Sequence, residues 1–110
     1  MEELANKTAY LKAVMYSGVT VLEGTTTWCP QCKAIQPFVD KMMKKYPDAK
    51  FYKYDVDAAD DIAQELGARA VPSFNVFKDG DIVDGVSWNK PTELEKAIQE
   101  SYGDGKVVEE

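Results

Sequence analysis

The sequence predicts an α/β fold, a mixed central β-sheet flanked by helices on both faces. Two observations carry this: helical and extended patterns take turns along the chain, and the last two extended runs follow each other directly across a short Asp-Gly connection. If Met1 to Leu4 forms a short edge strand, the order is strand, helix, strand, helix, strand, helix, strand, strand, helix.

Each element has a local reason. Leu11, Val14 and Met15 give a first helix, over residues 7–17, an apolar face, and Gly18 ends it. Val19 to Glu23 reads as a buried strand running into Gly24 and a Thr-rich loop. The next helix begins at Cys29 and Cys32. Its apolar face is Ile35, Phe38, Val39, Met42 and Tyr46; Lys41, Lys44 and Lys45 face outward, Pro37 should kink it, and Pro47 closes it. Phe51 to Val56 is a third strand, after which Asp57 can cap a short helix ending at Leu66 before Gly67.

Ser73 to Phe77 and Asp81 to Val86 are two strands around Lys78-Asp79-Gly80, a connection suited to a hairpin. A last helix starts near Asn89 or Thr92, with Glu95 placed to complete a capping box to Thr92, and buries Leu94, Ala97, Ile98 and Tyr102. One domain is expected over residues 1–103, followed by a flexible acidic tail over 104–110.

Composition narrows the function. An apolar fraction of 45% with 29% charged residues suits a globular domain. The net charge of -6 leaves no basic stripe for nucleic acid. No segment reaches the roughly 18 consecutive apolar residues of a membrane helix, and Met1-Glu2-Glu3-Leu4 lacks the basic start and apolar run of a signal peptide. The expected setting is therefore cytosolic or nuclear, with cytoplasmic the working expectation.

Cys29 and Cys32, the chain's two cysteines, lie in Trp28-Cys29-Pro30-Gln31-Cys32-Lys33. A disulfide between them would close a very small loop and make a poor structural staple, so the spacing points to redox chemistry. Zinc wants four ligands, and this chain offers two Cys and no His. A cluster shared between two chains remains the metal alternative. At the start of a helix Cys29 should be the more acidic thiol and attack first; Cys32, nearly a turn further in and less exposed, should resolve the mixed disulfide. Glu23, preceded by apolar residues, is the candidate base, its pKa raised by burial; the bland rival is a strand-end glutamate facing solvent. Trp28 adjoins the reactive Cys and is placed to shield the disulfide and touch partners. Trp88 is a weaker candidate for the same contact.

The run Trp28-Cys29-x-x-Cys32-Lys33 after a strand, Pro37 five residues beyond the second cysteine, and Val71-Pro72-Ser73 before a strand together resemble the thioredoxin family over nearly the whole chain. Phe77-Lys78-Asp79-Gly80 follows the family's hairpin pattern too. The resemblance implies a thioredoxin fold and an enzyme that reduces disulfides in other proteins through a reversible Cys29-Cys32 disulfide. It further implies a cis Pro72 opposite that disulfide, Glu23 where the family has a buried Asp, and Lys53 as the lysine approaching it. The expected substrate surface comprises Trp28, Pro30, Gln31, Val71, Pro72 and Trp88. No cofactor or metal is implied; the expected partners are disulfide-containing proteins and a separate NADPH-dependent thioredoxin reductase as electron donor, with the chain a monomer.

Three departures stand out. Pro30-Gln31 replaces the family's Gly-Pro, Glu23 is one methylene longer than Asp, and Ser87-Trp88 stands where the family offers a glycine beside the substrate groove. Two alternatives stay open: a glutathione-linked or oxidising thiol enzyme, prompted by Pro30, and, in a different class, a non-catalytic interaction or cluster-binding module of the same fold.

Overall fold

In a computed structural model, which describes residues 1–109, five strands and four helices alternate in the expected order. They are β1 (Glu2–Glu3), α1 (Lys7–Val14), β2 (Val19–Thr25), α2 (Pro30–Lys45), β3 (Lys50–Asp55), α3 (Asp60–Leu66), β4 (Ser73–Lys78), β5 (Asp81–Ser87) and α4 (Pro91–Tyr102). The sheet order is β1-β3-β2-β4-β5. β1, β3 and β2 run parallel, while β4 and β5 are antiparallel additions, so the sheet is mixed as predicted.

Period-two alternation divides the core. Val19, Val21, Phe51, Phe74 and Val76 pack on one face against Ile35, Val39 and Met42 of α2 and Leu94, Ala97 and Ile98 of α4. Leu22, Tyr54 and Phe77 pack on the other against Tyr10 and Val14 of α1 and Ile62 of α3. Glu23 follows Val21 by two residues and therefore points to the α2 face, toward the start of the helix that carries both cysteines.

Several local expectations are corrected. α1 ends at Val14, not residue 17, and buries Tyr10 and Val14 while Leu11 and Met15 are exposed. Asn6 fixes the start of the helix by accepting from the Ala9 amide, and packing of Tyr10 and Val14 with Leu22, Ile62 and Phe77 selects the buried face. Asp57 does not cap α3: the Asp55 carboxylate accepts from the Asp57 and Ala58 amides, and the helix begins behind Ala59 with no side-chain cap.

The capping box of α4 is also absent. Pro91 opens that helix and places Thr92 inside it, while the Glu95 carboxylate accepts from Lys45 and Tyr46 on α2. Lys78 pairs with Asp81, which leaves a two-residue loop; Asp79 and Gly80 both have positive φ (52° and 89°), the backbone of a primed hairpin turn. α2 runs unbroken through Pro37. The segment after Gly103, expected to be loose, lies outside helix and strand; its Lys106 amide donates to Asp48, its Val108 amide to the Lys45 carbonyl, and its Lys106 carbonyl accepts from the Tyr102 hydroxyl.

Gly24 is set by a close approach. A Cβ there would sit 2.7 Å from the Tyr54 hydroxyl oxygen and 2.9 Å from its ring carbon, and Tyr54 is fully buried and cannot step aside. Gly24→Ala should therefore lower stability by about 2 kcal/mol, the scale of overpacking in a closed core; chemical denaturation measures it, and an unchanged midpoint would show that the strand yields.

Candidate active site

Val19 to Gly24 is buried throughout and ends beneath a loop, Thr26 to Trp28, that turns the chain into α2. Cys29 is the N-cap of α2: its backbone is extended, and its sulfur accepts from the Cys32 amide at 3.0 Å. Pro30 fits the next position because the first-turn amide it lacks has no intrahelical partner. Cys29 and Cys32 form a disulfide with Cα atoms 5.3 Å apart. The sulfur of Cys29 thus stands at the positive end of a 16-residue helix, where a thiolate is favoured.

The expected contrast in exposure is not seen. Cys29 is 3% exposed and Cys32 7%. In the disulfide each sulfur covers the other, and Cys29 turns inward to the Cys32 amide, so access has to be read from the helix position rather than from a difference in burial.

Below the pair lies a cavity of about 150 Å³ lined by Glu23, Thr25, Thr26, Cys29, Cys32, Lys33, Gln36 and Lys53. Glu23 is 2% exposed, and its Oε1 has no hydrogen-bond partner. Desolvation pushes its pKa from 4.5 up to about 7; the nearby Lys53 charge pulls it down and Asp40 pushes it up. Lys53 is Glu23's register partner on β3, although among the described residues it closes no ion pair. A carboxyl that titrates near neutrality beside a thiol pair can take and return a proton.

The remaining expected residues gather above. The Val71-Pro72 bond is cis, Val71 is half-buried and Pro72 buried; Gly24 pairs with Ser73, which brings this loop next to the end of β2. The Trp88 amide donates to the Pro72 carbonyl at 2.7 Å. Trp28 is 69% exposed and Trp88 49%. Gln31, half-buried, accepts at 2.9 Å from the Asn89 side chain.

Sequence reasoning missed Asn89 as a site residue, since its partner is 58 positions away and no periodicity links them. It missed Thr26, whose buried hydroxyl also lacks a partner beside the cavity. The Thr-rich composition before the cysteines was the available signal for that residue.

The family model described as Thioredoxin matches residues 2–100. The chain belongs to the thioredoxin family. It is 37% identical over 98 residues to thioredoxin-3, mitochondrial, of Saccharomyces cerevisiae, covering 89% of this chain and 77% of that protein. Thioredoxin AMT13 of Alternaria alternata is 38% identical over 106 residues, covering 96% and 90%. The crystal structure of oxidised mitochondrial thioredoxin 3 from Saccharomyces cerevisiae superposes with a TM-score of 0.88 at 36% identity, covering 91% of this chain and 94% of that one. With the Cys29–Cys32 disulfide in place at the head of α2, this thioredoxin-family chain is a protein disulfide oxidoreductase. Among the described residues no helix is long and apolar enough to cross a membrane.

Proposed function

We propose that the chain works as a reductant of disulfides in other proteins, drawing electrons from a thioredoxin reductase. The observation that carries this reading is the placement of Cys29 as N-cap of α2, its sulfur accepting from the Cys32 amide above a buried carboxyl. In the reduced protein the Cys29 thiolate attacks one sulfur of the target disulfide; a Cys29–target bond forms, the target S–S bond breaks, and the first target sulfur leaves and takes up a proton. Glu23 then accepts the Cys32 proton, directly or through water in the cavity, and the Cys32 thiolate attacks the Cys29 sulfur. The Cys29–Cys32 bond forms, the mixed disulfide breaks, and the second target sulfur leaves reduced. Two electrons have passed to the target, and the reductase restores the dithiol.

In this reading Lys53 tempers the Glu23 pKa, and Trp28, Pro30, Gln31, Val71, Pro72 and Trp88 form the surface that meets the target. A monomer in the cytoplasm is the proposed working form; fractionation of tagged protein decides between that compartment and the mitochondrial one carried by a similar relative's name.

The test is direction. NADPH-coupled reduction of a disulfide-linked protein should proceed, and faster when Pro30-Gln31 is changed to Gly-Pro, because the dipeptide sets which amides face the Cys29 sulfur; each 30 mV of potential corresponds to about 1.4 kcal/mol. Pro30 motivates the second reading, an oxidising or glutathione-linked enzyme. Equilibration against glutathione separates the two: a protein that stays largely reduced in strongly oxidising buffer, and oxidises dithiol peptides faster than it reduces disulfides, would overturn the reductase.

A further inference from the structure

Trp88 occupies a backbone conformation that a tryptophan disfavours. Its φ is +72°, in the left-handed region where glycine is at ease and an aromatic residue is a clear outlier. Such a conformation persists only where the surroundings over-determine it, and residues held this way cluster at functional sites. Here three hydrogen bonds hold the turn. The Trp88 amide donates to the Pro72 carbonyl at 2.7 Å, the Lys90 amide to the Trp88 carbonyl at 3.1 Å, and the Asn89 side chain to Gln31 between the cysteines at 2.9 Å. Burial does not account for the residue, because about half of it is exposed.

The surroundings say what the indole meets. Trp28 and Pro30 are exposed beside Cys29, and Val71 is half-buried beside Pro72. Trp88 is tied to the cis-proline loop through the Pro72 carbonyl, and its neighbour Asn89 to Gln31 between the cysteines, so these apolar side chains border the disulfide on the cis-proline side. The cavity on the Glu23 side holds both nearby lysines, Lys33 and Lys53. A target chain whose reactive cysteine is flanked by large apolar side chains can bury them there; one flanked by serine or glycine cannot, and a few buried carbons are enough for about ten-fold discrimination.

We propose that Trp88 is a specificity-determining residue that selects protein disulfides flanked by large apolar side chains, and that Asn89, through its bond to Gln31, is the positioning residue that holds the indole at the reactive pair. This rests on the reductase reading above and adds the substrate class. The arrangement uses a side chain where glycine would relax the backbone, so the same substitution separates recognition from packing.

The test mixes pre-reduced protein with either of two short peptides, each closed by one disulfide and differing only in Leu-Phe or Ser-Gly beside the cysteine, and follows product thiols by quenched flow. The wild type should half-saturate at about ten-fold lower concentration of the Leu-Phe peptide, with similar limiting rates. Trp88→Gly should bring the ratio close to one, with the loss falling on half-saturation rather than on the limiting rate and with no drop in melting temperature. Asn89→Ala should lower the ratio in the same direction, and Ile82→Ala, exposed elsewhere on β5, should keep it. A wild-type ratio near one, a ratio that survives both Trp88→Gly and Asn89→Ala, or a Trp88→Gly protein that melts well below the wild type would overturn the proposal. Failure of the wild type to react with either peptide or with a small symmetrical disulfide would instead overturn the reductase reading.

Discussion

Cys32→Ser should stop turnover and leave the chain joined to its target through Cys29, whereas Cys29→Ser should be inactive and trap nothing. The asymmetry follows from position. Cys29 caps α2, receives the Cys32 amide and feels the helix dipole, so its thiolate is stabilised and becomes the attacking sulfur. Cys32 lies within the first helical turn over the Glu23 cavity, where it can reach the Cys29 sulfur and lose a proton. Serine there cannot resolve the mixed disulfide, and the intermediate accumulates. Non-reducing electrophoresis with mass spectrometry of the adduct checks both variants; an adduct through Cys32 in Cys29→Ser would reverse the roles.

Glu23→Gln has the second large effect, on rate and on stability together. Release of the reduced target should slow about ten-fold or more while first attack changes little, and the pH dependence of release near 7 should disappear. Stability follows from the same group. Its folded pKa of about 7 lies above 4.5, so the folded chain binds the proton more tightly than the unfolded chain does. Protonation therefore favours the fold: the contribution is complete below about pH 4.5 and is lost as pH rises through about 7, where the wild type carries a buried charge.

The difference is worth about 3 kcal/mol at its full extent. Above pH 8 the glutamine variant should be more stable by roughly that amount, on the order of 10 °C in melting temperature, and near pH 4 the two should converge. Single-turnover kinetics and thermal melts across pH measure both arms. A release rate and a stability profile that both match the wild type would return Glu23 to the role of a strand residue with no part in proton transfer.

The fold was legible because its signals are repetitive. The largely apolar run from Val19 to Leu22 placed β2, and Pro47, Gly67 and Asp79-Gly80 punctuated the chain where elements stop. Helix phase was less legible: Leu11, Val14 and Met15 look like a face, yet packing against the sheet and α3 turns Tyr10 and Val14 inward. The failed caps share a cause, since Asp57 and Glu95 were assigned by local spacing while Asp55 holds the turn before α3 and Glu95 bonds across to α2.

At the site, what neighbours in sequence can encode was readable. The cysteine spacing and the burial of Glu23 belong to single elements, and both are found where the pattern put them. Long-range contacts were not readable: the Gln31–Asn89 bond and the positive φ of Trp88 arise from how the loop after β5 meets the start of α2, which no local pattern records.

Site-resolved alkylation of the reduced protein bears most directly on the central claim, that the head of α2 makes Cys29 the attacking thiolate. At pH 7 with limiting iodoacetamide, followed by peptide mass spectrometry, Cys29 should be modified well before Cys32, with a midpoint for its reactivity below the ordinary thiol value of about 8.5. Faster modification of Cys32, or equal rates for both thiols with midpoints at the ordinary value, would contradict it.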